Sequence, residues 1–281
     1  MKNAMQLKSK VKTLSQEWDI PAQVVLQTYF SERLLARVAQ SNYQSALVIK
    51  GGFLIASVIG HNSRATMDLD ATLQGKVLDV DMIQLMFDDI LSLKASDSVI
   101  FETIGIKEIR ESDGYSAFRV SLVARYETIA NPFHVDITSG DKITPKAVEY
   151  EHQPLFGSEP IAVLAYPIET ILSEKIETIL SRVDQNTRAR DFYDVYVLAR
   201  QRMNYVRPSN LKAALLATLE SRGTEEVLDS VPERLGTIAG SDALRNYWNA
   251  YCSEYPYARD IDFDSTLHAL SEMLQVSGLL E

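Results

Sequence analysis

The stretch Lys50–Leu73, with the sequence KGGFLIASVIGHNSRATMDLDATL, constrains the fold of this chain more than any other feature. An apolar strand at 46–49 leads into it, and the pair Gly51–Gly52 breaks that strand. A short apolar segment at 53–59 follows, and then a polar turn. The order predicts a strand, a glycine turn, a short helix and a second strand.

The second predicted strand carries Asp68 and Asp70. Side chains of an extended chain alternate between two faces, so Asp68, Asp70 and Thr72 share one face and the apolar residues between them share the other. Two neighbouring carboxylates repel each other unless a cation or a proton lies between them. Carboxylate oxygens suit Mg2+, which is usually completed by water and substrate phosphates. The pattern predicts a site for Mg2+ or Mn2+.

The glycine pair supplies a second part of such a site. Glycines let backbone N–H groups approach a phosphate closely, and a helix N-terminus favours an anion. Arg64 and Thr66 directly precede the two aspartates. Taken singly, Asp-x-Asp is also common at solvated strand ends and Gly-Gly in turns, so these alternatives stay open. The order of the motifs favours a metal–triphosphate site.

A third carboxylate is predicted on a later strand. Segments 101–110 and 115–127 alternate as antiparallel strands joined around Asp113-Gly114, and a third strand spans 133–138. On that third strand Asp136 shares a face with His134 and Thr138. Three carboxylates on one face suit two metal ions in phosphoryl transfer. Asp136 would then ligate the second metal and help to deprotonate the attacking hydroxyl, although an ordinary strand residue is the alternative.

The order KGG…RATMDLD resembles the nucleotidyltransferase superfamily built on a DNA polymerase beta-like palm. More narrowly, it resembles the AbiEii-type (MenT-like) nucleotidyltransferase toxins of bacterial toxin–antitoxin pairs. The resemblance implies an α+β fold, a mixed sheet flanked by helices and followed by a C-terminal helical bundle. Gly52 stands where the superfamily carries serine, so backbone N–H groups would cradle the phosphates. The nucleotide-binding residues implied for this region are Lys50, Gly51, Gly52, Arg64 and Thr66.

The C-terminal half carries a second candidate group. A helix that begins near Pro167 has an apolar stripe, and Lys175 falls on that stripe. A lysine there either extends to solvent or meets an anion. The family resemblance implies that Lys175 and Thr178 contact the phosphates of the nucleotide. It also implies a catalytic role for Asp191 in the next helix, where surface ion pairs with nearby arginines are the alternative.

The predicted domains are residues 1–145, with N-terminal helices and the palm-like sheet, and residues 146–281, which are mainly helical. Pro145, Pro154 and Pro160 suggest that 139–166 is an irregular connection. The chain of 281 residues has one cysteine and no apolar run of about 18 residues. A cytoplasmic protein with no membrane partner is therefore expected.

The formal net charge of −10 argues against general nucleic-acid binding, which depends on clustered Lys and Arg. Any contact with RNA therefore requires a local basic patch. Residues 182–207 provide the best candidate, although a solvated helix face explains them as well. The arginines of this segment are Arg182, Arg188, Arg190, Arg200, Arg202 and Arg207.

These features predict a metal-dependent enzyme that transfers NMP from an NTP to an RNA hydroxyl. By resemblance the acceptor would be a tRNA 3′ end, and the protein would be the toxin of a toxin–antitoxin or phage-defence pair with a cognate antitoxin. One alternative keeps the fold but uses a small molecule, such as an antibiotic, as acceptor. Another is a non-catalytic nucleotide-binding module.

Overall fold

The structure is a computed structural model that describes residues 1–95, 97–110 and 116–280. The described chain divides into two compact units. The first comprises Met1–Asp141 and Val148–Ala165, and the second comprises Lys142–Ala147 with the described residues from Tyr166 onward. The predicted domain boundary after residue 145 stays a prediction.

The first unit contains a seven-stranded mixed sheet and four helices. Its helices are α1 (Ala4–Trp18), α2 (Ala22–Val38), α3 (Gly51–Ile59) and α4 (Val80–Ser92). Its strands are β1 (Leu47–Lys50), β2 (Leu69–Leu73), β3 (Ile100–Arg110), β4 (Ser116–Tyr126), β5 (Ile129–Ser139), β6 (Val148–His152) and β7 (Ile161–Ala165).

The sheet has the strand order β3-β4-β5-β2-β1-β7-β6. Strand β1 pairs antiparallel with β2, whereas β2 pairs parallel with β5. The register places Asp70 opposite Lys50 on one side and opposite Asp136 on the other. Residues that face each other across neighbouring strands point to the same side of a sheet, so the register groups these three side chains. The predicted α+β fold with a mixed sheet is confirmed.

Helices α2, α3 and α4 pack against this sheet. Helix α2 begins after Pro21, which is its N-cap. Helix α3 begins directly after β1, and its residues Phe53–Ala56 are buried. A short helix buried in this way holds its own N-terminus, with Gly51 and Gly52, at a fixed place beside β2.

The segment 139–166 is not the irregular connection that its prolines suggest. It contains β6 and β7, which pair antiparallel and extend the sheet beyond β1. Strand β6 lies at the edge of the sheet, where polar and exposed residues are tolerated. The turn predicted at Asp113-Gly114 lies outside the described residues, but the strands on either side of it are antiparallel as expected.

The second unit is helical over its described length. Its α-helices are α5 (Ile168–Arg182), α6 (Ala189–Arg202), α7 (Pro208–Arg222), α8 (Val231–Ala239), α9 (Asp242–Glu254) and α10 (Phe263–Ser277). The apolar stripe predicted for α5 is buried at Ile171, Leu172, Ile176 and Ile179. Among the described residues, none of the helices combines the length and the apolar character that crossing a membrane requires.

Candidate active site

Asp70 is the central residue of the polar face of the first unit. It is half-buried on β2, and Asp68 is exposed just before that strand. Leu69 and Ala71, on the opposite face, are buried in the core. The predicted alternation is seen at Leu69, Asp70 and Ala71, whereas Thr72 is buried and Asp68 precedes the strand. The register pairs Asp70 with Lys50 and with Asp136.

The Asp70 carboxylate lies against the start of α3. Gly51 has a φ of 67°, in the left-handed region that favours glycine. A Cβ added at Gly51 would lie 2.0 Å from Oδ2 of Asp70, so the contact has no room for a side chain. The backbone N–H of Gly52 donates a hydrogen bond to the same carboxylate. The glycine pair is thus needed for close approach, here between the helix start and an acidic side chain.

Burial raises the pKa of Asp70 to about 6. The neighbouring carboxylates of Asp136 and Asp68 contribute to this rise, whereas Lys50 and the Gly52 N–H oppose it. A carboxylate in these surroundings gains stability from a proton or from an added cation. The arrangement therefore has the electrostatic character of a cation site.

Arg119 is a residue of this face that the sequence analysis missed. It stands opposite Asp136 on β4, and its Nε and Nη2 donate to Oδ1 and Oδ2 of Asp136 at 2.8 and 2.6 Å. The hydrogen bond to Asp136 raises the pKa of Arg119 above its ordinary value. Both oxygens of Asp136 are therefore engaged by one guanidinium. The sequence shows Arg119 as a charged residue on a predicted strand, but its contact with Asp136 depends on the register between β4 and β5.

Asp141 is a second residue that was missed. Nζ of Lys50 lies 2.7 Å from its Oδ2, and the hydroxyl of Thr138 donates to the same oxygen at 2.6 Å. Asp141 follows the end of β5, where a single acidic residue carries no distinctive sequence signal. It fixes the ammonium of Lys50 at the edge of the polar face.

Arg64 and Thr66 lie beside Gly52, as their position in the motif suggested. A Cβ at Gly52 would come within 2.5 Å of Nη1 of Arg64 and 2.8 Å of Oγ1 of Thr66. Arg64 is buried, and its Nη1 donates to the carbonyl oxygen of Ala65 at 3.0 Å. The five residues predicted to bind nucleotide in this region therefore all lie around the start of α3. Their role in nucleotide binding stays a prediction.

The oxygen-only donor set of Asp68, Asp70 and Asp136 fits Mg2+ or Mn2+. These carboxylates influence one another electrostatically, but their oxygens are not gathered into a tight group. Among the residues that the structure describes, a tight group of acidic and histidine side chains lies elsewhere in the first unit, at Glu32, His61 and His152. A metal held by all three aspartates would need an oxygen of Asp136 that now accepts from Arg119.

The second unit holds a separate charged group, which we call the lysine–aspartate group: Lys175, Asp191 and Asp194. Nζ of Lys175 lies 2.6 Å from Oδ1 of Asp191 and 3.3 Å from Oδ2 of Asp194. Both aspartates are buried, so the alternative of a surface ion pair at Asp191 is wrong. Oδ2 of Asp191 is buried without a hydrogen-bond partner. The lysine on the apolar stripe therefore meets carboxylates of its own chain.

Thr178 lies on α5, one turn after Lys175. Its hydroxyl donates to the carbonyl oxygen of Glu174 at 2.8 Å and accepts from Nη1 of Arg222 at 3.0 Å. The second unit thus places Lys175, Thr178 and Asp191 on two helices, α5 and α6, that pack against each other.

The family model described as "Nucleotidyl transferase AbiEii toxin, Type IV TA system" matches residues 33–269, which is most of the chain. The chain belongs to the AbiEii nucleotidyltransferase toxin family. The predicted resemblance is confirmed, and the protein is a transferase and a toxin of a toxin–antitoxin system by family. The match spans both the glycine–aspartate stretch and the lysine–aspartate group.

Two solved structures are similar to this chain, and the first of them supports the fold alone. A structure described as "putative nucleotidyltransferase from H. pylori" aligns with a TM-score of 0.50 and 16% identity, over 93% of this chain and 97% of that chain. JHP933 from Helicobacter pylori aligns with a TM-score of 0.48 and 16% identity, over 91% of this chain and 93% of that chain. A search of curated proteins found no match.

Proposed function

We propose that this AbiEii protein transfers a nucleoside monophosphate from an NTP to an RNA hydroxyl, in a reaction that depends on Mg2+ or Mn2+. The observation that carries the proposal is the position of Asp70. It lies between Lys50 and Asp136 in the sheet, against the glycine start of α3, with a pKa raised to about 6. Such a transfer needs carboxylates that hold metal ions and a helix N-terminus that binds phosphate, and the surroundings of Asp70 offer both kinds of group.

Asp68, Asp70 and Asp136 are the residues that would hold the divalent metal. When bound, the metal would supply charge stabilisation at the triphosphate and activate the acceptor hydroxyl. Among the residues of the chain, Asp136 is placed to accept the proton of that hydroxyl through an oxygen released by Arg119. Arg119 has an exposed side chain, so it can leave Asp136 at small cost.

The start of α3 would bind the phosphates. Its backbone N–H groups and the helix dipole favour an anion, and the buried guanidinium of Arg64 lies beside Gly52. Lys50 adds a second positive charge, which Asp141 fixes at 2.7 Å. The hydroxyl of Thr66 completes the polar lining beside Gly52. Arg64 and Thr66, from the loop after α3, would take the place of the serine hydroxyl that the glycine pair lacks.

In the second unit, we assign Lys175 to the phosphates of the nucleotide, as the family resemblance implies. Asp191 and Asp194 hold its ammonium in one position, because both approach within 3.3 Å. A lysine fixed in this way loses little conformational entropy when it binds a phosphate. Asp191 is therefore assigned as the positioning partner of Lys175, and Thr178 as the polar group one turn away.

An RNA acceptor, with a tRNA 3′ end as the preferred form, is supported by the surface of the second unit. Arg188, Arg200 and Arg207 are exposed in a chain that is otherwise acidic. Tyr205 is 70% exposed, and the guanidinium of Arg202 lies 5.9 Å from its ring. Exposed aromatic rings beside arginine are the groups on which unpaired bases stack. These features favour a single-stranded RNA end over a small acceptor.

We further propose a cognate antitoxin that suppresses this activity, and a role in phage defence. The toxin–antitoxin family to which the chain belongs supports the antitoxin, and the role in phage defence rests on the family resemblance alone. Growth arrest on expression, relieved by a neighbouring gene, would support the antitoxin. Arrest that no neighbouring gene relieves would contradict it.

The proposal is tested by label transfer. Purified protein is incubated with each α-labelled NTP, Mg2+ or Mn2+, and either total tRNA or a metabolite extract, and the RNA 3′ ends are then sequenced. We expect label in RNA with one or more NTPs and added nucleotides at the 3′ ends. Asp70→Asn should reduce the transfer by at least about 1,000-fold, since it removes a ligand of the metal that would stabilise the reacting phosphates. Asp88→Asn, at an exposed position on α4, is the matched control and should retain activity.

Three other results of this experiment would change or contradict the proposal. Label that enters the metabolite extract but not RNA would replace the RNA acceptor with a small molecule. Absence of pyrophosphate release with every NTP and both metals would favour a non-catalytic nucleotide-binding module. Full activity of Asp70→Asn would contradict the assignment of the three aspartates.

A further inference from the structure

A second polar group lies inside the first unit, apart from the proposed transfer site. It consists of Glu32 on α2, His61 just after α3 and His152 on β6, and we call it the buried histidine group. One ligand atom from each residue lies within 4.8 Å of the other two. Glu32 and His152 are 0% and 1% exposed. Three elements that are far apart in sequence therefore meet at two imidazoles and a carboxylate.

The hydrogen bonds of this group are incomplete. Oε1 of Glu32 accepts from the Leu155 N–H at 2.7 Å and lies 3.1 Å from Nε2 of His152. Oε2 of Glu32 and Nε2 of His61 are both buried without a hydrogen-bond partner, and Nη2 of Arg33 is 3.8 Å from Oε2. A buried polar atom left in this state destabilises the folded chain. Two such atoms in one group indicate a ligand that would satisfy both.

The surroundings of His152 match those of a metal-bound imidazole. Its Nδ1 lies 2.6 Å from the hydroxyl oxygen of Ser57, and that oxygen lies 2.6 Å from the hydroxyl of Tyr150. A histidine that binds metal through one ring nitrogen usually has the other nitrogen hydrogen-bonded, which fixes the tautomer and the ring. The ring of Phe53 lies against both imidazoles, with centroids 5.2 and 5.7 Å away. The Ser57 hydroxyl therefore fixes the orientation of the His152 ring, and the ring of Phe53 covers both imidazoles.

We infer that Glu32, His61 and His152 form a zinc site. Two imidazoles and one carboxylate are a ligand set that Zn2+ prefers, whereas Mg2+ prefers oxygen ligands alone. With metal–ligand distances of about 2.0–2.2 Å, tetrahedral ligand atoms lie roughly 3.4 Å apart. Atoms now within 4.8 Å therefore need to move inward by little more than 1 Å. Water takes the fourth position.

The zinc site joins three elements of the fold. Bound metal would link α2, the turn after α3 and the edge strand β6, and so stabilise the end of the sheet that lies farthest from β3. Helix α3 has nine residues, so its two ends are about 13 Å apart. Gly51 and Asp70 lie at one end of that helix, and His61 lies at the other. The zinc site is therefore separate from the proposed transfer site and does not depend on it.

The test is metal binding to the full chain. Chelator-treated protein is titrated with Zn2+ against a chromophoric competitor, and Co2+ is used as a spectroscopic probe of tetrahedral coordination. We expect one tight Zn2+ per chain, a tetrahedral Co2+ spectrum and no displacement by millimolar Mg2+. Glu32→Gln and His61→Asn should each weaken Zn2+ binding by at least about 100-fold. Ser57→Ala, which removes the partner of His152, should weaken it by about 10–100-fold.

Two controls keep the outcome decisive. His268→Asn changes an exposed histidine on α10 and should bind Zn2+ as the unmodified chain does. Asp70→Asn should also leave Zn2+ binding unchanged. His61 is only partly buried, so His61→Asn should stay folded by circular dichroism even if Glu32→Gln does not. Zn2+ binding that is equally tight in His61→Asn, or that is lost in Asp70→Asn instead, overturns the inference.

Discussion

The two charged groups of this AbiEii protein, one in each compact unit, accommodate buried aspartates in different ways. In the first unit, burial, together with the nearby carboxylates of Asp136 and Asp68, raises the pKa of Asp70 to about 6. In the second unit, Asp191 and Asp194 are more deeply buried, but both lie within 3.3 Å of the Lys175 ammonium. One group contains mutual repulsion, and the other is organised around a cation of its own.

This difference shows what each group gains from a ligand. The repulsion around Asp70 is relieved by a bound cation, so the folded chain retains an unfavourable interaction that a substrate complex can remove. The lysine–aspartate group is already paired and gains no such relief. Removal of the Asp70 charge should therefore stabilise the metal-free folded chain, whereas removal of the Lys175 charge should destabilise it.

The largest effect on folding is expected for Lys175→Met. The substitution leaves Asp191 and Asp194 buried without the ammonium that both contact, and removal of one partner of a buried pair costs about 3–5 kcal/mol. Because Lys175 is partly exposed, we expect a loss of about 2–4 kcal/mol in the free energy of unfolding, measured in urea. Lys212→Met, at an exposed position on α7, should change it by less than about 0.5 kcal/mol. Equal effects of the two substitutions would remove the contrast between the units.

Gly51→Ala should have the next largest effect. The left-handed conformation costs a non-glycine residue about 1–2 kcal/mol, and the new Cβ would also displace the Asp70 carboxylate. Gly75 has a similar φ of 72° but no atom within 4 Å of an added Cβ, so Gly75→Ala isolates the conformational cost. We expect Gly51→Ala to lose about 1 kcal/mol more than Gly75→Ala in denaturant unfolding.

A double-mutant cycle assigns that excess. If the excess arises from contact with Asp70, Gly51→Ala combined with Asp70→Ala should be less destabilising than the sum of the single changes. Additive effects would show that Gly51 is required for its backbone conformation alone.

The pH dependence of stability tests the repulsion around Asp70. Its pKa is about 6 in the folded chain and about 3.9 when unfolded, so the folded chain binds more protons between these values. The free energy of unfolding should therefore fall as pH rises through this window. Relative to Asp70→Asn, the metal-free unmodified chain should lose about 1–2 kcal/mol between pH 4 and pH 7. A difference that stays constant with pH would contradict the raised pKa.

Helix α5 and strand β5 followed from periodicity, because burial repeats at about 3.6 residues in α5 and at 2 residues in β5. Strand β6 could not be found in this way. Its sequence VEYEH lies at the edge of the sheet and has mostly polar residues, and its neighbouring prolines suggested an irregular loop. Strand β7 was missed as well, although its buried residues alternate, because the prolines before it suggested a loop.

The candidate site could be predicted only where its residues share a local motif. The glycine–aspartate stretch places Gly51, Gly52, Asp68 and Asp70 through local order alone. Arg119 and Asp136 meet because β4 and β5 pair in one particular register, which the composition of either strand does not specify. Glu32 and His152 are 120 residues apart in the chain, and no periodicity distinguishes Glu32 from its neighbours on α2.

The smallest expected effect on stability, and the sharpest test of the first unit, is Arg119→Gln. The pair with Asp136 has 40% of the arginine side chain exposed, so its loss should cost only about 0.5 kcal/mol. The same change frees both oxygens of Asp136 and removes a competing cation. We therefore expect tighter Mg2+ binding, by about 3- to 10-fold in calorimetric titration, if Asp136 is a metal ligand. Arg125 lies on β4, as Arg119 does, and forms a comparable exposed pair with Glu102 on β3. Arg125→Gln removes that pair and should leave Mg2+ affinity unchanged. If both variants bind Mg2+ as the unmodified chain does, Asp136 serves Arg119 alone, and the metal would be left to Asp68 and Asp70.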